Sequence, residues 1–269
     1  MWIGSPLRGA FRLFSYVVLT LVLLPPYLLA MAMRIRPIMR WMPVMYHRTV
    51  CFLLGIRVQV RGTRSDVTPT LFVCNHVSYL DIEVLGGLVP GSFVAKAEVA
   101  TWPFFSTLAK AQRTIFIERS SGRTSASRDE MMRRLNTGDN LLLFPEGTSS
   151  DGTRVLPFRT ALFGVAQLRR GERPIVVQPV AISYTRLDGI PLGRYWRPLF
   201  AWFGDLDLVP HLWQMVCLGE TEAVVTFFPP IDIDQLGDRK KLAEFCFRQV
   251  SLGVQAANSG RHELLPRLA

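Results

Sequence analysis

The chain has 269 residues, of which 49% are apolar and 19% are charged, and this composition is not that of a disordered protein. Its length suits one large domain with an appendage better than two equal domains. The formal net charge is +10, and no acidic residue precedes Asp66, so we expect the N-terminal part to bind either nucleic acid or an anionic lipid surface.

The N-terminal part, residues 1–54, begins with an uncharged apolar stretch. No residue from Leu13 to Met33 is charged, and as a helix this stretch is just long enough to cross a bilayer core of about 30 Å. Pro25 and Pro26 each remove a backbone donor, which disfavours a straight span, and two short helices entering one leaflet fit equally well. A cleaved signal peptide is a weaker alternative, because two prolines break the stretch and no disulfide-rich chain follows it. We therefore predict a membrane-associating segment.

The stretch 34–54 has a different pattern. Mostly apolar side chains recur at intervals of three and four, which predicts a basic amphipathic helix lying among lipid headgroups. The alternative is a helix packed on the main domain, since any surface helix has such a stripe. An apolar stretch beside basic residues favours lipid over nucleic acid as the partner. The stripe consists of Ile38, Trp41, Met42, Met45, Thr49, Phe52 and Leu53.

Residues 55–269 form the predicted main domain, in which short apolar runs alternate with helical patterns. Several runs are continuously apolar, which is typical of strands covered on both faces. The alternation predicts an α/β fold with a mixed central β-sheet flanked by helices, and functional loops beyond the strand ends. The segment 196–218 is either a second amphipathic surface feature or a cap near the site. Strands are predicted at 56–61, 70–74, 92–95, 114–117, 140–144, 175–182 and 223–228, and helices at 79–88, 104–111, 124–136, 160–170 and 240–257.

The cysteines at positions 51, 74, 217 and 246 are scattered, without a C-x-x-C pair or metal-ligand spacing. We expect reduced, mostly buried thiols in a cytoplasm-like compartment, and no metal site. A thiol nucleophile at Cys74, two residues before His76, is disfavoured because buried cysteines are mostly inert.

The first chemical candidate is the loop that follows the strand at 70–74. An imidazole at His76, directly after this strand, can act as a general base near neutral pH. Asp81 can hold the imidazole tautomer and stabilise the imidazolium, as the acid of a Ser-His-Asp triad does, provided that the chain turns between them. The alternative is that Ser78 and Asp81 form a capping box at a helix N-terminus, which leaves Asn75 and His76 unexplained.

Further segments place polar residues at or near strand ends. Glu146 can accept a hydrogen bond from a substrate hydroxyl, and Gly147 lets the chain approach a ligand closely. Arg119 and Lys96 follow two other strands, where they can hold a phosphate, and Arg159 is a further candidate cation. An ordinary Pro-Glu-Gly turn and solvated surface charges are the alternatives.

Four motifs follow one another between about residue 71 and residue 184. They are N-H-x-x-x-x-D (HX4D) at 75–81, an apolar strand ending in Glu118-Arg119, F-P-E-G-T-S at 144–149 and an apolar strand with Q-P-V-A-I at 178–182. In this order they resemble the lysophospholipid acyltransferase family, whose best-known members are 1-acylglycerol-3-phosphate O-acyltransferases. Each motif alone is weak, but four in order are highly specific. The chain departs from the common pattern at Glu118, at 112–114 and at 158–161, outside the presumed chemistry.

The resemblance implies that residues 55–269 are an acyltransferase catalytic domain that works without an acyl-enzyme, a metal or a bound cofactor. His76 would deprotonate the acceptor hydroxyl, with Asp81 orienting the imidazole. The hydroxyl oxygen would then attack the thioester of acyl-CoA or acyl carrier protein. The residues implied to bind the substrates are Lys96, Arg119, Glu146, Gly147 and Thr148.

The favoured acceptor is a lysophospholipid, 1-acylglycerol-3-phosphate, which would give phosphatidic acid. The same transfer onto lyso-ornithine lipid is the alternative, and the cations would then meet a carboxylate. The expected partners are membrane lipids, the acceptor and the acyl donor, without nucleic acid. The expected location is a bacterial-type inner membrane, with the active site on the cytoplasmic side. A thioesterase and a non-enzymatic basic membrane-surface protein are the alternatives from other functional classes.

Overall fold

Apolar strands and helices alternate along the chain and assemble into one mixed sheet covered by helices. The computed structural model describes residues 4–101, 105–117, 124–170, 172–261 and 265. Its strands are Ile56–Arg61 (β1), Thr70–Cys74 (β2), Ser92–Lys96 (β3), Ile115–Ile117 (β4), Leu141–Leu143 (β5), Arg169–Arg170 (β6), Arg173–Pro174 (β7), Val176–Leu187 (β8), Ile190–Pro191 (β9) and Thr221–Phe227 (β10). Its α-helices are Pro6–Ala32 (α1), Arg36–Leu54 (α2), Leu80–Gly86 (α3), Phe105–Ala111 (α4), Thr124–Asn136 (α5), Leu208–Cys217 (α6), Ile233–Leu236 (α7) and Arg239–Ser259 (α8). Short 3₁₀ helices occupy Ala97–Thr101, Thr160–Gln167 and Arg197–Phe200.

The main sheet has the strand order β1-β10-β8-β2-β5-β3-β4, with β9 beside β8. The strands from β8 to β4 in this order are parallel, whereas β10 is antiparallel to β8 and parallel to β1. The prediction of a mixed sheet is thus confirmed. β2 lies in its interior, and all five residues of this strand are buried, which accounts for its continuous apolar run.

Two apolar cores lie on the two faces of the sheet, because successive side chains of a strand point to opposite faces. Phe72 and Leu142 pack with residues of α3 on one face. Leu71 and Leu141 pack with residues of α5 and α8 on the other. Each fully buried side chain of this size contributes about 1.5–3 kcal/mol relative to exposure. The end of β2, where His76 follows, is therefore held by packing on both faces.

The N-terminal apolar stretch forms one continuous helix. α1 runs through Pro25 and Pro26, so the alternative of two short helices joined at the prolines is wrong. In apolar surroundings a break would leave further backbone groups without partners, which favours continuing the helix through a proline. By length and composition α1 is able to cross a membrane, and only 17% of its most apolar window is buried. Such an exposed apolar helix is typical of a membrane-associated protein.

Arg12 ties the N-terminal half of α1 to the main domain. Its guanidinium donates to the carbonyl oxygens of Leu218 at 2.7 Å, Val216 at 3.2 Å and Gly219 at 3.4 Å. Carbonyl groups at a helix C-terminus lack intrahelical partners and carry partial negative charge, so an arginine suits them. The segment 196–218, whose role was open from sequence, thus supplies α6 as a support for the apolar helix.

α2 packs on α3 through the side opposite to its apolar stripe. Met45 and Phe52, both in the stripe, are 67% and 81% exposed. His47 is buried and holds the helix in place, because its Nδ1 lies 2.7 Å from Glu83 of α3 and its Nε2 lies 2.5 Å from Gln112. The predicted helix is present and packs on the main domain, as the alternative expected, while much of its apolar stripe stays exposed. The buried side chains of α2 are Val44, His47, Val50 and Cys51.

The predicted helix at 160–170 differs from the structure. Thr160–Gln167 is a 3₁₀ helix, and Arg169–Arg170 pairs in an antiparallel manner with Arg173–Pro174. Gly164 lies in the middle of this segment, and glycine disfavours a regular α-helix because it loses the most conformational freedom on ordering. The other predicted strands and helices are present within the described residues, some with shifted ends.

Candidate active site

Asn75 joins the loop after β2 to the neighbouring strand β8. Its Nδ2 donates to the carbonyl oxygen of Ile182 at 2.9 Å, and its Oδ1 accepts from the Ile182 N–H at 2.9 Å. This pair satisfies two backbone groups of β8 beyond the last ladder residue of β2, Cys74. Asn75, which helix capping left unexplained, therefore fixes the start of the loop that carries His76.

Asp81 is a fully buried acceptor. Its Oδ2 lies 2.7 Å from the Val77 nitrogen and 3.0 Å from the Ser78 nitrogen. The same oxygen lies 2.8 Å from His76 Nδ1, while Oδ1 accepts from the Tyr184 hydroxyl at 3.0 Å. The bond to the Ser78 N–H is the acidic half of a capping box, so the capping role of Asp81 coexists with its contact to His76. The loop supplies the turn that this contact requires.

His76 presents one ring nitrogen away from this acceptor. Because Asp81 Oδ2 already accepts from two backbone N–H groups, His76 Nδ1 is the donor in their contact, and Nε2 keeps its lone pair. The His76 side chain is 21% exposed, whereas that of Asp81 is completely buried. The imidazole is thus the member of the pair that a substrate reaches, in the tautomer that a general base requires.

The backbone of His76 is held from both sides by the segment 144–150. Glu146 accepts from the His76 N–H at Oε1 and from the Leu156 N–H at Oε2, both at 2.8 Å. Ser150 donates its N–H to the His76 carbonyl oxygen at 2.8 Å. Both Glu146 oxygens thus bind backbone, and only 4% of the residue is exposed. Its partners differ from the acceptor hydroxyl expected from sequence, because tertiary packing turns it inward.

The environment of Glu146 favours its neutral form. Burial raises the pKa of Glu146 to about 8, while the N–H groups of His76 and Leu156 oppose the rise and the nearby Asp81 carboxylate adds to it. The carboxyl group therefore binds a proton more tightly in the folded chain than in the unfolded one.

An aromatic stack connects His76 to an apolar cavity. The Phe144 ring lies on the imidazole, with centroids 4.3 Å apart and planes at 20°. Phe93 stacks on Phe144 in turn, with centroids 6.1 Å apart. Phe93 also lines a cavity of about 170 Å³ between the N-terminal helices and the main domain. Other residues that line it are Leu24, Tyr46, Ile82, Leu108 and Ala109.

The structure describes some of the remaining predicted site residues fully and others only in part or not at all. Gly147 has a φ of +69°, and a Cβ there would lie 2.7 Å from Arg159 Nε, so the arginine packs over the glycine. Thr148, next to it, is exposed. Arg119 lies outside the described residues, as does the Lys96 side chain, although the Lys96 backbone ends β3. The structure thus brings together His76, Asp81, Glu146 and Gly147.

Comparisons with known proteins show the family of the chain. A family model described as Acyltransferase matches residues 56–183. A lyso-ornithine lipid O-acyltransferase of Rhizobium meliloti is 42% identical over 238 residues, which are 87% of this chain and 81% of that protein. The chain belongs to the acyltransferase family. The acyltransferase is also 44% identical to a lyso-ornithine lipid O-acyltransferase of Brucella abortus over 226 residues, covering 82% of this chain and 85% of that protein.

More distant similarity extends to other acyltransferases. A 1-acyl-sn-glycerol-3-phosphate acyltransferase of Neisseria meningitidis is 33% identical over 199 residues, covering 73% of this chain and 74% of that protein. The crystal structure of the 1-acyl-sn-glycerophosphate (LPA) acyltransferase PlsC from Thermotoga maritima matches with a TM-score of 0.65 at 20% identity, covering 93% of this chain and 94% of that chain. This structural match confirms the fold.

Sequence reasoning overlooked two residues of the acyltransferase site, Tyr184 and Phe144, although both lie in or beside the motifs. A tyrosine in an otherwise buried strand needs a hydrogen-bond partner for its hydroxyl, so the position of Tyr184 in its apolar run could have indicated such a contact.

The cysteines behave as expected, since all four are free and buried. Burial and the carboxylates of Asp81 and Glu146 raise the pKa of the Cys74 thiol well above its usual range, which agrees with an inert thiol.

Tyr184→Phe should lower kcat by about 10- to 100-fold with little change in KM, because a buried Asp81 oxygen loses its hydrogen bond while the substrate contacts stay. The aromatic ring itself is retained by its stack on Phe200 at 5.6 Å. Steady-state kinetics of the purified protein measure kcat and KM separately. Ser183→Ala is the matched control, because this neighbouring buried hydroxyl has no hydrogen-bond partner among the described residues. An equal loss in both variants would contradict the role of Tyr184.

Glu146→Gln should lower the free energy of unfolding by about 1–3 kcal/mol at about pH 5, because an amide offers one acceptor oxygen to two N–H donors. The pKa of Glu146 is about 8 in the folded protein and about 4.3 in model peptides, so the wild type loses stability as the pH rises between these values. The variant has no such dependence. The stability difference should therefore shrink as the pH rises and change sign by about pH 9.

Unfolding of both proteins in detergent across this pH range measures the difference. Exposed Glu172→Gln is the control and should leave the curve unchanged. A stability difference that does not vary with pH would argue against a neutral, buried Glu146.

Proposed function

We propose that this acyltransferase transfers a fatty acyl group from a thioester to the free hydroxyl of lyso-ornithine lipid. The His76–Asp81 pair supports the transfer chemistry, and the relatives carry the choice of acceptor. Four lyso-ornithine lipid O-acyltransferases are 36–44% identical to the chain, against 33% for the Neisseria 1-acyl-sn-glycerol-3-phosphate acyltransferases. The second candidate acceptor is 1-acylglycerol-3-phosphate, which the same four motifs favour.

The mechanism follows from the geometry of His76. Its Nε2 takes the proton of the acceptor hydroxyl as that oxygen attacks the thioester carbonyl carbon. Asp81 stabilises the imidazolium that forms. When the C–S bond breaks, the imidazolium returns the proton to the leaving thiolate, so the products are an ester and a free thiol. A base of this kind contributes about 10²- to 10⁴-fold in rate, and holding both substrates together supplies much of the rest. The scheme uses acyl-CoA or acyl carrier protein as substrate and requires no resident cofactor or metal.

The acceptor headgroup needs a cation close to the His76 loop. Arg159 is exposed and packs over Gly147, in the segment that clamps His76. A guanidinium there can hold a carboxylate or a phosphate in a forked contact. Arg119 and Lys96 remain our candidates for further cations, because Lys96 ends β3 and Arg119 follows β4 in the sequence, and the two strands are parallel.

The apolar cavity beside Phe93 is proposed to take an acyl chain. It connects to His76 through the Phe93–Phe144 stack, so a chain in the cavity would have its reactive end near the imidazole. Apolar walls make such a chain favourable by about 0.8 kcal/mol per buried methylene group.

The acyltransferase is proposed to sit on one leaflet of a bacterial-type inner membrane, with its active site on the cytoplasmic side. α1 has 27 residues, and an α-helix of that length extends about 40 Å. Gly9, near one end, lies against Cys217, and buried Tyr27, near the other end, lines cavities together with residues of the main domain. A helix held at both ends by one domain cannot cross a bilayer unless the domain enters the lipid. Free, buried cysteines agree with a reducing compartment.

Purified wild type should acylate lyso-ornithine lipid with a kcat/KM at least about tenfold above that for 1-acylglycerol-3-phosphate, if its anion site is built for the amino-acid headgroup. His76→Ala should reduce transfer by about 10²- to 10⁴-fold. Product formation from radiolabelled acyl-CoA and acyl carrier protein measures both. A preference for the phosphate acceptor would replace the proposed substrate but keep the mechanism.

Two outcomes would overturn the mechanism itself. The first is near-wild-type transfer by His76→Ala or Asp81→Asn. The second is thiol release that does not depend on any lysolipid, since that is the behaviour of a thioesterase. The Ser183→Ala protein serves as the matched control for folding and membrane insertion.

Ala109→Phe should shift the donor preference from palmitoyl towards lauroyl thioester, because the larger ring fills part of the cavity. An excluded methylene group costs about 1–3 kcal/mol in such a pocket. Competition between the two donors measures the shift. Thr107→Phe, on the same helix α4 but exposed and outside the cavity lining, is the control. An equal shift in both variants would argue against an acyl chain in this cavity.

A further inference from the structure

A second cavity, of about 590 Å³, lies beneath the turn that joins α1 to α2. Arg34 from the turn and Arg36 and Arg40 from α2 line one side of it. Arg113 and Asp139 of the main domain lie on the other side. The transfer mechanism uses none of these residues.

The charges in this cavity are not balanced. Asp139 is already bonded to Arg113, and it accepts from Arg134 Nε at 2.7 Å. Arg34, Arg36 and Arg40 have no acidic partner within the described ranges of the chain. The cavity therefore holds three positive charges without a counter-charge from those ranges.

The two helical arginines lie on the domain side of α2, away from its lipid side. Arg36 and Arg40 are one helical turn apart, and the same face continues to Val44, which is buried. The exposed apolar stripe with Met45 lies on the opposite face. The two arginines thus line the cavity, whereas Val44 and His47, further along the same face, are buried.

The cavity is separate from the transfer site. Its lining includes Gly91 and Asn140, which precede β3 and β5, whereas His76 follows the end of β2. These strands are parallel, so residues that precede them and residues that follow them lie at opposite ends of the strands. The cavity and His76 are therefore separated by the length of a strand, which is roughly 13 Å or more.

We propose that this cavity binds the phosphate of an anionic phospholipid headgroup from the surrounding membrane. Guanidinium groups hold phosphate oxygens in forked contacts and are favoured over ammonium groups for this purpose. Met31 and Met39 line the same cavity and give the glycerol and upper acyl segments an apolar surface. Trp41, 5.7 Å from the Arg40 guanidinium, is a residue typical of the membrane interface. This amphipathic lining favours a lipid over free phosphate. The proposal does not depend on which acceptor the enzyme acylates.

The test is vesicle co-sedimentation of the full chain. One vesicle set contains phosphatidylglycerol in phosphatidylcholine, and the other contains oleate at matched surface charge. R34Q/R36Q/R40Q should weaken binding to the phosphatidylglycerol vesicles by about tenfold or more, and clearly less to the oleate vesicles. The matched control R57Q/R173Q/R239Q removes the same charge from exposed positions outside the cavity and should change binding by about twofold or less.

A second variant separates phosphate recognition from charge alone. R34K/R36K/R40K keeps the charges but loses the forked contacts, so it should show an intermediate loss on phosphatidylglycerol vesicles. The three arginine side chains are exposed, and unchanged melting temperatures establish that the variants fold.

The proposal is overturned by any of three results. One is an equal loss on both kinds of vesicle, and another is wild-type binding by the lysine variant. The third is release of the wild type from phosphatidylglycerol vesicles by inorganic phosphate, but not by chloride at the same ionic strength, because free phosphate would then be the ligand.

Discussion

The buried carboxylate of Asp81 is the interaction on which the rest of the site depends. A carboxylate taken out of water costs several kcal/mol unless its lone pairs are filled, and here they are filled by two backbone N–H groups, an imidazole and a phenol. The same four contacts begin α3, orient His76 and join the loop to β8. Stability and chemistry are thus served by one set of hydrogen bonds, and the capping and catalytic interpretations of the motif are two descriptions of it.

α3 also links the candidate active site to the N-terminal helices. Asp81 lies in its first turn, and Glu83 follows two residues later with its contact to His47 of α2. Burial by itself lowers the pKa of His47, but the Glu83 carboxylate and the hydrogen bonds to Glu83 and Gln112 together raise it, which favours a charged imidazole. One short helix therefore positions both Asp81 and α2, whose apolar stripe is exposed. The apolar cavity lies between the two N-terminal helices and the main domain, and residues of α3 are part of its lining.

The positive charge of the N-terminal part serves more than one purpose. Arg48 donates to the Gly87 carbonyl oxygen at 2.7 Å and Arg64 to that of Leu88 at 2.9 Å, so both satisfy backbone at the end of α3. Arg12 does the same at the end of α6. The net positive charge had suggested a surface that attracts anions, but some of the arginines instead bind backbone carbonyl groups at helix ends. The arginines around the α1–α2 turn have no such partner among the described residues.

Local pattern was enough to predict β1, β2 and α5 to the residue, since alternation and continuous apolar runs depend on neighbours in sequence. It was also enough to nominate His76 and Asp81, which are five positions apart, in the loop after β2 and in the first turn of α3. Tertiary structure alone decided which face of α2 is buried, that the prolines do not break α1, and what Glu146 and Tyr184 bind. Glu146 contacts a residue 70 positions away, and Tyr184 one 103 positions away. Contacts over such separations are set by how strands and helices pack against each other, which no local sequence pattern encodes.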